Sequence, residues 1–395
     1  MLICCQLSAK HFSGANMDAQ AEHARLAPSS ADKRVGCPGS LLMEEMYGSD
    51  VETDEMREGT AAHWVLLEMA REQPVCEGLL APNGVMVTEE MIDGAQMILD
   101  DVDERLRPYP DASLGLTYEQ RVDCTHIHED NWGTPDIWGY VAEDGQIFIW
   151  DFKFGHRFVP ADSWQLINYA AGIIRQIGLN GHQDQYTKVT FIIVQPRYYH
   201  GSPVRSWSCM ASDLRGMFNT LITTYNEATG PSPKLRTGEW CADCSARHKC
   251  EALHKATASA VDYIDSVGDV DYDDHSLGTE MVILESAIDR CTARLKALKV
   301  DAEARIAEGR AVHLYHVTPT YGRQKWTAPI DEVLFTGELY GAKLSKPTQA
   351  VTPKQAIAAG VDAEVVNSMS ETPRTGYTVV RRGKSIAYMA FNKKV

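Results

Sequence analysis

The chain has 395 residues, of which 44% are hydrophobic and 23% charged, a composition typical of a globular protein with more than one core. Its formal net charge of -16 at pH 7 excludes indiscriminate coating of a polyanion but leaves room for a local basic groove. No run approaches the roughly 18 apolar residues that span a bilayer. The first residues lack a signal-peptide pattern, and Met17 is an alternative start, so we expect a cytoplasmic protein without membrane contact.

The N-terminal half predicts helices followed by strands. Residues 1–28 are expected to be poorly ordered, and SSADKRVGCPGS is expected to begin a helix capped by Ser29 or Ser30. Residues 59–72 and 89–107 have helical spacing, and residues 114–122 alternate as in a strand.

Residues 133–155, GTPDIWGYVAEDGQIFIWDFKFG, predict a β-hairpin that turns at Asp144-Gly145. An amphipathic helix at 163–177 and a buried strand at 188–195 follow. This order predicts an α/β or α+β layer with a mixed sheet.

The composition changes after residue 250. An acidic segment, YIDSVGDVDYDDHS, is expected to be a linker, and an apolar stripe then predicts a long helix ending near Gly309. The stripe comprises Met281, Leu284, Ile288, Cys291, Leu295, Leu298 and Ala302. Packing within the chain is the common outcome for such a stripe, and homodimerisation is the alternative. Residues 311–395 are expected to form a small α+β region, with a helix that starts at Thr352-Pro353.

Charged side chains occupy the open end of the hairpin. With the turn at Asp144-Gly145, Asp136 would oppose Lys153, Trp138 would oppose Asp151, and both carboxylates would share a face with the lysine. Two carboxylates within about 5–8 Å repel each other unless a cation lies between them, and Mg²⁺ fits such a pair. Lys153 could then orient or deprotonate water, or offset phosphate charge. The alternative is a solvated ion pair on an exposed face.

Three of the ten cysteines, Cys241, Cys244 and Cys250, follow C-x2-C-x5-C spacing in CADCSARHKC. They need a fourth ligand for a tetrahedral metal or a cubane cluster. His248 or His254 would favour zinc, whereas the remote Cys37 would complete four thiolates. The other cysteines are expected to be ordinary thiols: Cys4, Cys5, Cys76, Cys124, Cys209 and Cys291.

Basic and aromatic residues suggest nucleic-acid contacts. His156 and Arg157 follow the hairpin and could bind phosphates, and Arg197, Arg205 and Trp207 suit a single-strand channel. The alternatives are loop charge and core packing. The tail segments YGRQKW and VVRRGKSIAY could add DNA contacts or a protein-docking surface.

Asp136 followed by Asp151-Phe152-Lys153 resembles the PD-(D/E)XK nuclease core, and more narrowly its RecB-like branch. His63 in EGTAAHWVLLE is similar to the histidine of that branch's Gly-x-x-x-His helix. Gln165 and Tyr169 in QLINY are similar to its Q-x-x-x-Y helix, and Glu119 resembles, more weakly, an acidic residue on the preceding strand. The resemblance covers about residues 30–255.

This resemblance implies a restriction-endonuclease-like core and a Mg²⁺- or Mn²⁺-dependent DNA nuclease. An exonuclease acting on DNA ends in phage or prophage recombination or replication is favoured. Asp136, Asp151, His63 and the Phe152 carbonyl would hold the metal, with Glu119 as a further candidate. Lys153 would activate water, and Gln165 and Tyr169 would position the DNA or the lysine.

One cysteine before the core and three after it resemble the iron–sulfur staple of some RecB-like nucleases. The resemblance thus implies a [4Fe–4S] cluster held by Cys37, Cys241, Cys244 and Cys250, with zinc as the alternative. The expected organisation is an extension at 1–28, a nuclease domain at 29–255, a linker and long helix at 256–310, and an accessory region at 311–395.

Two other functions remain open at this point. One is a DNA-binding recombination accessory with little cleavage, and the other is a zinc-stapled module that docks a partner protein. The expected partners are linear DNA and a recombination protein, with a homo-oligomer as a further possibility.

Overall fold

The computed structural model describes residues 24–48, 53–109, 115–179, 181–199, 201–266 and 273–316. Described residues up to Asp301 belong to one compact unit, and Ala302 begins a second. Of the poorly ordered extension expected at residues 1–28, residues 1–23 lie outside the described residues, whereas Leu26 is fully buried. The helix at Thr352-Pro353, the basic tail segments and most of the 311–395 region also lie outside the described residues.

A five-stranded mixed sheet forms the centre of the first unit. Its order is β1-β4-β5-β6-β7, with β5 and β6 parallel and the other neighbours antiparallel. The strands are β1 (Thr117–Tyr118), β4 (Ile137–Val141), β5 (Gln146–Phe152), β6 (Lys188–Val194) and β7 (Val204–Met210). A separate two-stranded sheet pairs β2 (Val122–Asp123) with β3 (Trp132–Gly133). The predicted α+β class with a mixed sheet is confirmed.

Eight α-helices flank or follow this sheet within the described residues. They are α1 (Ala31–Gly36), α2 (Ser40–Tyr47), α3 (Asp54–Ala70), α4 (Glu89–Leu106), α5 (Trp164–Gln176), α6 (Arg215–Ala228), α7 (Glu251–Ser266) and α8 (Asp274–Ala307). The helices expected near 59–72, 89–107 and 163–177 are confirmed as α3, α4 and α5. The expected cap of α1 does not form, because the Ser30 hydroxyl donates to Ala27 O at 2.8 Å instead.

The central strands are buried on both faces, which separates the core into two layers. Ile147, Ile149 and Phe191 pack with α5 and α6 in one layer. Phe148 and Trp150 pack with α3 and α4 in the other. The parallel pair is therefore enclosed by helices, and functional side chains can reach the surface only where the strands end.

The hairpin register differs from the expected one. Ile137 pairs with Trp150 and Trp138 pairs with Ile149, so the expected pairing of Trp138 with Asp151 is wrong. The connection is a longer loop, residues 142–145, which ends on Gly145 at φ 58°. Continuing this register places Asp136 opposite Asp151. Because the register moves by an even number of residues, both carboxylates keep the predicted face.

The strand expected at 114–122 is interrupted. Glu119 has φ 42°, in the left-handed region that L-residues with side chains rarely adopt. The backbone therefore turns between β1 and β2, which belong to different sheets.

Helix α8 has two different faces along residues 274–301. Ala287, Ala293 and Ala297 are buried, whereas most of the predicted apolar stripe is exposed, for example Ile288 at 62% and Leu295 at 50%. Ala293 packs with Cys241 and Leu253. The helix therefore covers the cysteine-containing segment with small residues and leaves its larger apolar residues exposed.

Among the described residues, no helix is long and apolar enough to cross a membrane.

Candidate active site and four-cysteine cavity

Asp136, just before β4, bridges the hairpin and helix α3. Its Oδ2 accepts a 2.6 Å hydrogen bond from the Phe152 backbone N–H at the end of β5. Its Oδ1 lies 3.1 Å from His63 Nδ1 on α3. The His63 ring also meets the Phe152 ring edge-on, with centroids 5.5 Å apart. One carboxylate thus joins a strand end to the helix that covers it.

His63 and Asp136 shift each other's pKa. Burial alone would lower the pKa of His63, but attraction to Asp136 outweighs it and raises this pKa above its ordinary value. Burial alone would raise the pKa of Asp136, but His63 and Lys153 together hold it below its ordinary value. The contact thus favours the charged form of each group.

Asp151, Lys153 and Gln165 form a second, closed set of contacts. Lys153 Nζ lies 2.9 Å from Asp151 Oδ2 and donates to Gln165 Oε1 at 2.9 Å. Gln165 Nε2 in turn donates to Asp151 Oδ1 at 2.9 Å. Gln165 belongs to α5, so this helix fixes the relative position of the carboxylate and the ammonium.

Asp151 is nearly enclosed, with 3% of its surface exposed. Burial, together with the nearby Asp136, raises the pKa of its carboxyl despite the adjacent Lys153. The pKa of Lys153 is also raised, because Asp151 and Asp136 outweigh its own burial. Asp151 Oδ2 accepts no geometrically acceptable hydrogen bond, although it pairs with Lys153. The Lys153 ammonium is thus the positive charge that compensates this buried oxygen.

Tyr169 lies one turn beyond Gln165 on α5 and contacts the residues that precede Asp136 in the chain. Its hydroxyl donates to Thr134 O at 3.0 Å. Its ring lies so close to Gly133 that a Cβ there would come within 2.9 Å of it. Tyr169 is 5% exposed, so in this structure it supports the segment that precedes Asp136.

Glu119 is part of the site, although among the candidate site residues it had the weakest resemblance to the nuclease pattern. Ligand atoms of His63, Glu119 and Asp136 all lie within 4.8 Å of one another. The Glu119 N–H donates to Asp136 O at 2.9 Å, which holds the left-handed backbone in place. Although the residue is exposed, local desolvation at the site and the charge of Asp136 raise the pKa of Glu119. A histidine and two carboxylates of this kind suit Mn²⁺ or Mg²⁺.

Sequence reasoning missed Asp32, an exposed residue on α1. Its carboxylate accepts the backbone N–H groups of Trp164 at 3.1 Å and Gln165 at 3.3 Å. No spacing rule connects residues so far apart in the chain. The only local signal was an acidic residue in the first turn of a predicted helix.

The four cysteines proposed as ligands line one cavity of about 20 Å³, together with Trp240, Arg236 and Leu253. They are Cys37, Cys241, Cys244 and Cys250, and all four are free thiols. Backbone N–H groups of Arg236 and Gly238 donate to the sulfurs of Cys37 at 3.3 Å and Cys241 at 3.5 Å. Burial raises the pKa of Cys244 to about 12, so an uncompensated thiolate is unfavourable there.

The thiols are spread more widely than a single zinc ion requires. A tetrahedral ion with Zn–S bonds of about 2.3 Å holds its sulfurs only about 3.8 Å apart. Among the described residues, no three of these thiols lie mutually within 4.8 Å. Neither His248 nor His254 lines the cavity, although His254 Nε2 is buried without a hydrogen-bond partner.

Glu44 on α2 links α1 to the loop at residues 241–250, which carries three of the four cysteines. It pairs with Lys33 at 2.6 Å and Arg34 at 2.7 Å, and accepts the Ser245 N–H at 3.0 Å. Burial alone would raise the pKa of Glu44, but Arg34 and Lys33 hold it below its ordinary value. A second connection joins Arg157, just past Lys153, to Asp243 within the loop.

Most basic and aromatic candidates for DNA contact interact within the protein. Arg197 pairs with Glu58 at 2.8 Å and lies over the Phe154 ring. Arg205 donates to Gln195 Oε1 at 2.6 Å, and Trp207 stacks on Phe191. His156 and Arg157 are the exposed members of the predicted set, although Arg157 pairs with Asp243 and the His156 ring lies near Tyr199.

Fold and site together define an α+β protein with a carboxylate–histidine cluster at a strand end and a separate four-cysteine cavity. Residues 23–348 match the family described as a protein of unknown function, DUF2800. Because the match extends over most of the 395 residues, the chain belongs to this family, whose description assigns no activity.

The left-handed backbone of Glu119 leads to a prediction that separates stability from metal binding. Glu119→Gly should unfold at the same free energy as the wild type or up to about 1 kcal/mol higher, since glycine removes the backbone strain. It should bind Mn²⁺ at least about tenfold more weakly, because a ligand is lost. Urea unfolding and calorimetric Mn²⁺ titration measure both effects.

Glu119→Gln is the matched control, since it removes the charge and retains the strain. A glycine variant less stable than the glutamine variant would contradict the strain argument. Unchanged Mn²⁺ affinity in both would remove Glu119 from the ligand set.

The depressed pKa of Glu44 predicts a pH-dependent contribution to stability. Glu44→Gln should lower the free energy of unfolding by about 2 kcal/mol at pH 7, because charged hydrogen bonds and ion pairs are lost. The contribution is present above the ordinary pKa of 4.5 and disappears as the pH falls through the lower folded value. Urea unfolding at pH 7 and pH 4 should show the difference between the two proteins shrinking on acidification.

Glu45→Gln is the control for this comparison, because Glu45 forms an exposed pair with Arg25. It should change the free energy of unfolding by less than about 1 kcal/mol. An equal loss in both variants, or a loss from Glu44→Gln independent of pH, would contradict the assigned role.

Proposed function

We propose that this protein is a metal-dependent DNA nuclease that hydrolyses phosphodiester bonds, with an exonuclease acting on DNA ends as the favoured form. The observation that carries the proposal is the convergence of Asp136, Asp151 and Lys153 at one strand end, with His63 and Gln165 attached from the flanking helices. An ordinary surface ion pair does not require a nearly enclosed aspartate or a glutamine that bridges both of its partners.

The residues fit a hard divalent ion, Mg²⁺ or Mn²⁺. His63, Glu119 and Asp136 supply ligand atoms within 4.8 Å of one another. Asp151 is not in this group, and its Oδ2 pairs with Lys153 at 2.9 Å. Asp136, Asp151, His63 and Glu119 would hold the ion, and the Phe152 carbonyl stays a predicted ligand. The bound ion would supply positive charge against the scissile phosphate and the attacking water.

The side chains around Lys153 define what the protein itself contributes. Two contacts of its ammonium are directed to Asp151 and Gln165, which leaves a further N–H for a phosphate oxygen or a water molecule. Gln165 holds the lysine and the aspartate at a fixed distance, which reduces the reorganisation needed during reaction. Lys153 would therefore orient the attacking water and offset phosphate charge.

The four-cysteine cavity supports a [4Fe–4S] cluster in preference to zinc. In such a cluster each cysteine binds a different iron atom, so thiols spread beyond single-ion spacing fit it better. Cys37, Cys241, Cys244 and Cys250 would hold it, and the Arg236 and Gly238 N–H groups would stabilise the thiolate sulfurs. The cluster would supply a cross-link between the beginning and the end of the nuclease domain.

We further propose the host cytoplasm as the compartment and phage or prophage recombination or replication as the setting. Linear DNA would be the substrate, and a recombination protein would be a partner. Free, clustered thiols suit a reducing compartment.

The direct test uses anaerobically purified full-length protein with end-labelled linear DNA and covalently closed circles, in Mg²⁺ or Mn²⁺. We expect degradation of linear DNA and at least a hundredfold loss of rate in Lys153→Ala and Asp151→Asn, since both alter the charge at the reaction centre. Lys188→Ala and Asp93→Asn are matched controls on exposed residues outside the site and should cleave like the wild type.

Cutting of closed circles would make the protein an endonuclease. Tight DNA binding without cleavage under either metal would overturn the nuclease and favour the recombination accessory. Full activity in Lys153→Ala would remove this lysine from the reaction.

Metal analysis of the same anaerobic preparation tests the cysteine assignment. We expect about four iron atoms and four sulfides per chain, and loss of both in Cys37→Ser. Cys124→Ser is the matched control, because Cys124 is a buried thiol outside the cavity. One equivalent of zinc without iron would instead support the zinc-stapled module.

A further inference from the structure

Helix α1 connects the cysteine cavity to the Asp151–Lys153–Gln165 contacts. Its C-terminal cap is Cys37, one of the cavity residues. In the first turn of the same helix, Asp32 accepts the N–H groups of Trp164 and Gln165. This short helix therefore contacts both candidate sites.

The contact satisfies a specific requirement of α5. The first N–H groups of a helix have no partner within it. Ser163 Oγ accepts the Leu166 N–H at 3.4 Å, and Asp32 accepts the two preceding ones at 3.1 and 3.3 Å. A carboxylate at this position is also favoured by the helix dipole.

The residue held in this way is the one that bridges the site. Gln165 donates to Asp151 and accepts from Lys153, both at 2.9 Å. A displacement of its backbone would lengthen both contacts together, and displacements of about 1 Å in such arrangements reduce turnover about a hundredfold.

Asp32 itself is held by a helix that cannot shift easily. The adjacent Arg34 is buried and donates to Ser40 at 2.8 Å and Glu44 at 2.7 Å. The Cys37 N–H donates to Lys33 O at 2.8 Å. The position of the Asp32 carboxylate is thus set by the helices around the cysteine cavity.

We propose that Asp32 is a positioning residue that fixes the first turn of α5, and through it the Gln165 amide between Asp151 and Lys153. The proposal rests on the proposed function for its effect on turnover. The claim that Asp32 fixes the backbone at the start of α5 does not depend on the proposed function.

The test compares Asp32→Ala and Asp32→Asn with wild type. Alanine should lower kcat about 10- to 100-fold with a smaller change in KM for DNA, because Gln165 is misplaced and the DNA surface is retained. Asparagine should recover at least about a third of the wild-type kcat, since its amide oxygen still accepts these N–H groups. Hydrogen exchange should show reduced protection of the Trp164 and Gln165 amides in the alanine variant only.

Asp273→Ala is the matched control. Asp273 accepts the Ser276 N–H at 2.7 Å and caps α8, which contributes no described residue to the Asp151 contacts. It should lose amide protection at the start of α8 and leave kcat unchanged.

An alanine variant with kcat within twofold of wild type and unchanged α5 protection would overturn the proposal. Equal loss of kcat in the alanine and asparagine variants, with α5 protection intact, would also overturn it, because Asp32 would then act through its charge. If the wild type does not cleave DNA, the proposed nuclease fails, and the exchange measurement alone decides whether Asp32 fixes α5.

Discussion

The contact on which the rest of the site depends is the Asp136 carboxylate between the Phe152 N–H and the His63 ring. One oxygen holds the end of β5, and the other holds α3. Because α3 packs on one face of the central strands, this carboxylate joins the end of β5 to that helical layer. The short hydrogen bond to a backbone N–H is the kind that stabilises an ionised carboxylate, which agrees with the lowered pKa of Asp136.

Local patterns in the sequence were sufficient for the central strands and for the helices that flank the site, but not for α2, α6, α7 or β7. The alternation of apolar residues in 133–155 identified β4 and β5, and helical spacing identified α3, α4 and α5. The convergence of Asp136, Asp151 and Lys153 was also predictable, since residue parity along a strand determines the face. The hairpin register was not predictable from the sequence, because Asp144-Gly145 can either form a two-residue turn or end a longer loop. Only the packing of the two strands decides between these alternatives.

Contacts between distant segments were beyond sequence reasoning. Glu119 was placed on a regular strand, whereas its left-handed backbone and its N–H bond to Asp136 O bring its carboxylate into the ligand group. The role of Asp32 depends on how α1 packs at the N-terminus of α5, and no residue type in either segment encodes that pairing. Arg197 and Arg205 were expected to contact DNA, whereas in the structure they contact Glu58 and Gln195 of the same chain.

The cysteines that line the cavity come from two segments that are far apart in the chain, and this separation affects how much a cross-link between them would stabilise the fold. Cys37 lies before the sheet and Cys241 after it, so a metal cluster joining them would close the whole central sheet into one loop. Closing a long loop removes more unfolded-state entropy than closing a short one, although the increase is only logarithmic. The Glu44 contacts with Lys33, Arg34 and Ser245 already hold these two segments together. A cluster bound in this cavity would therefore reinforce an interface that these contacts already form.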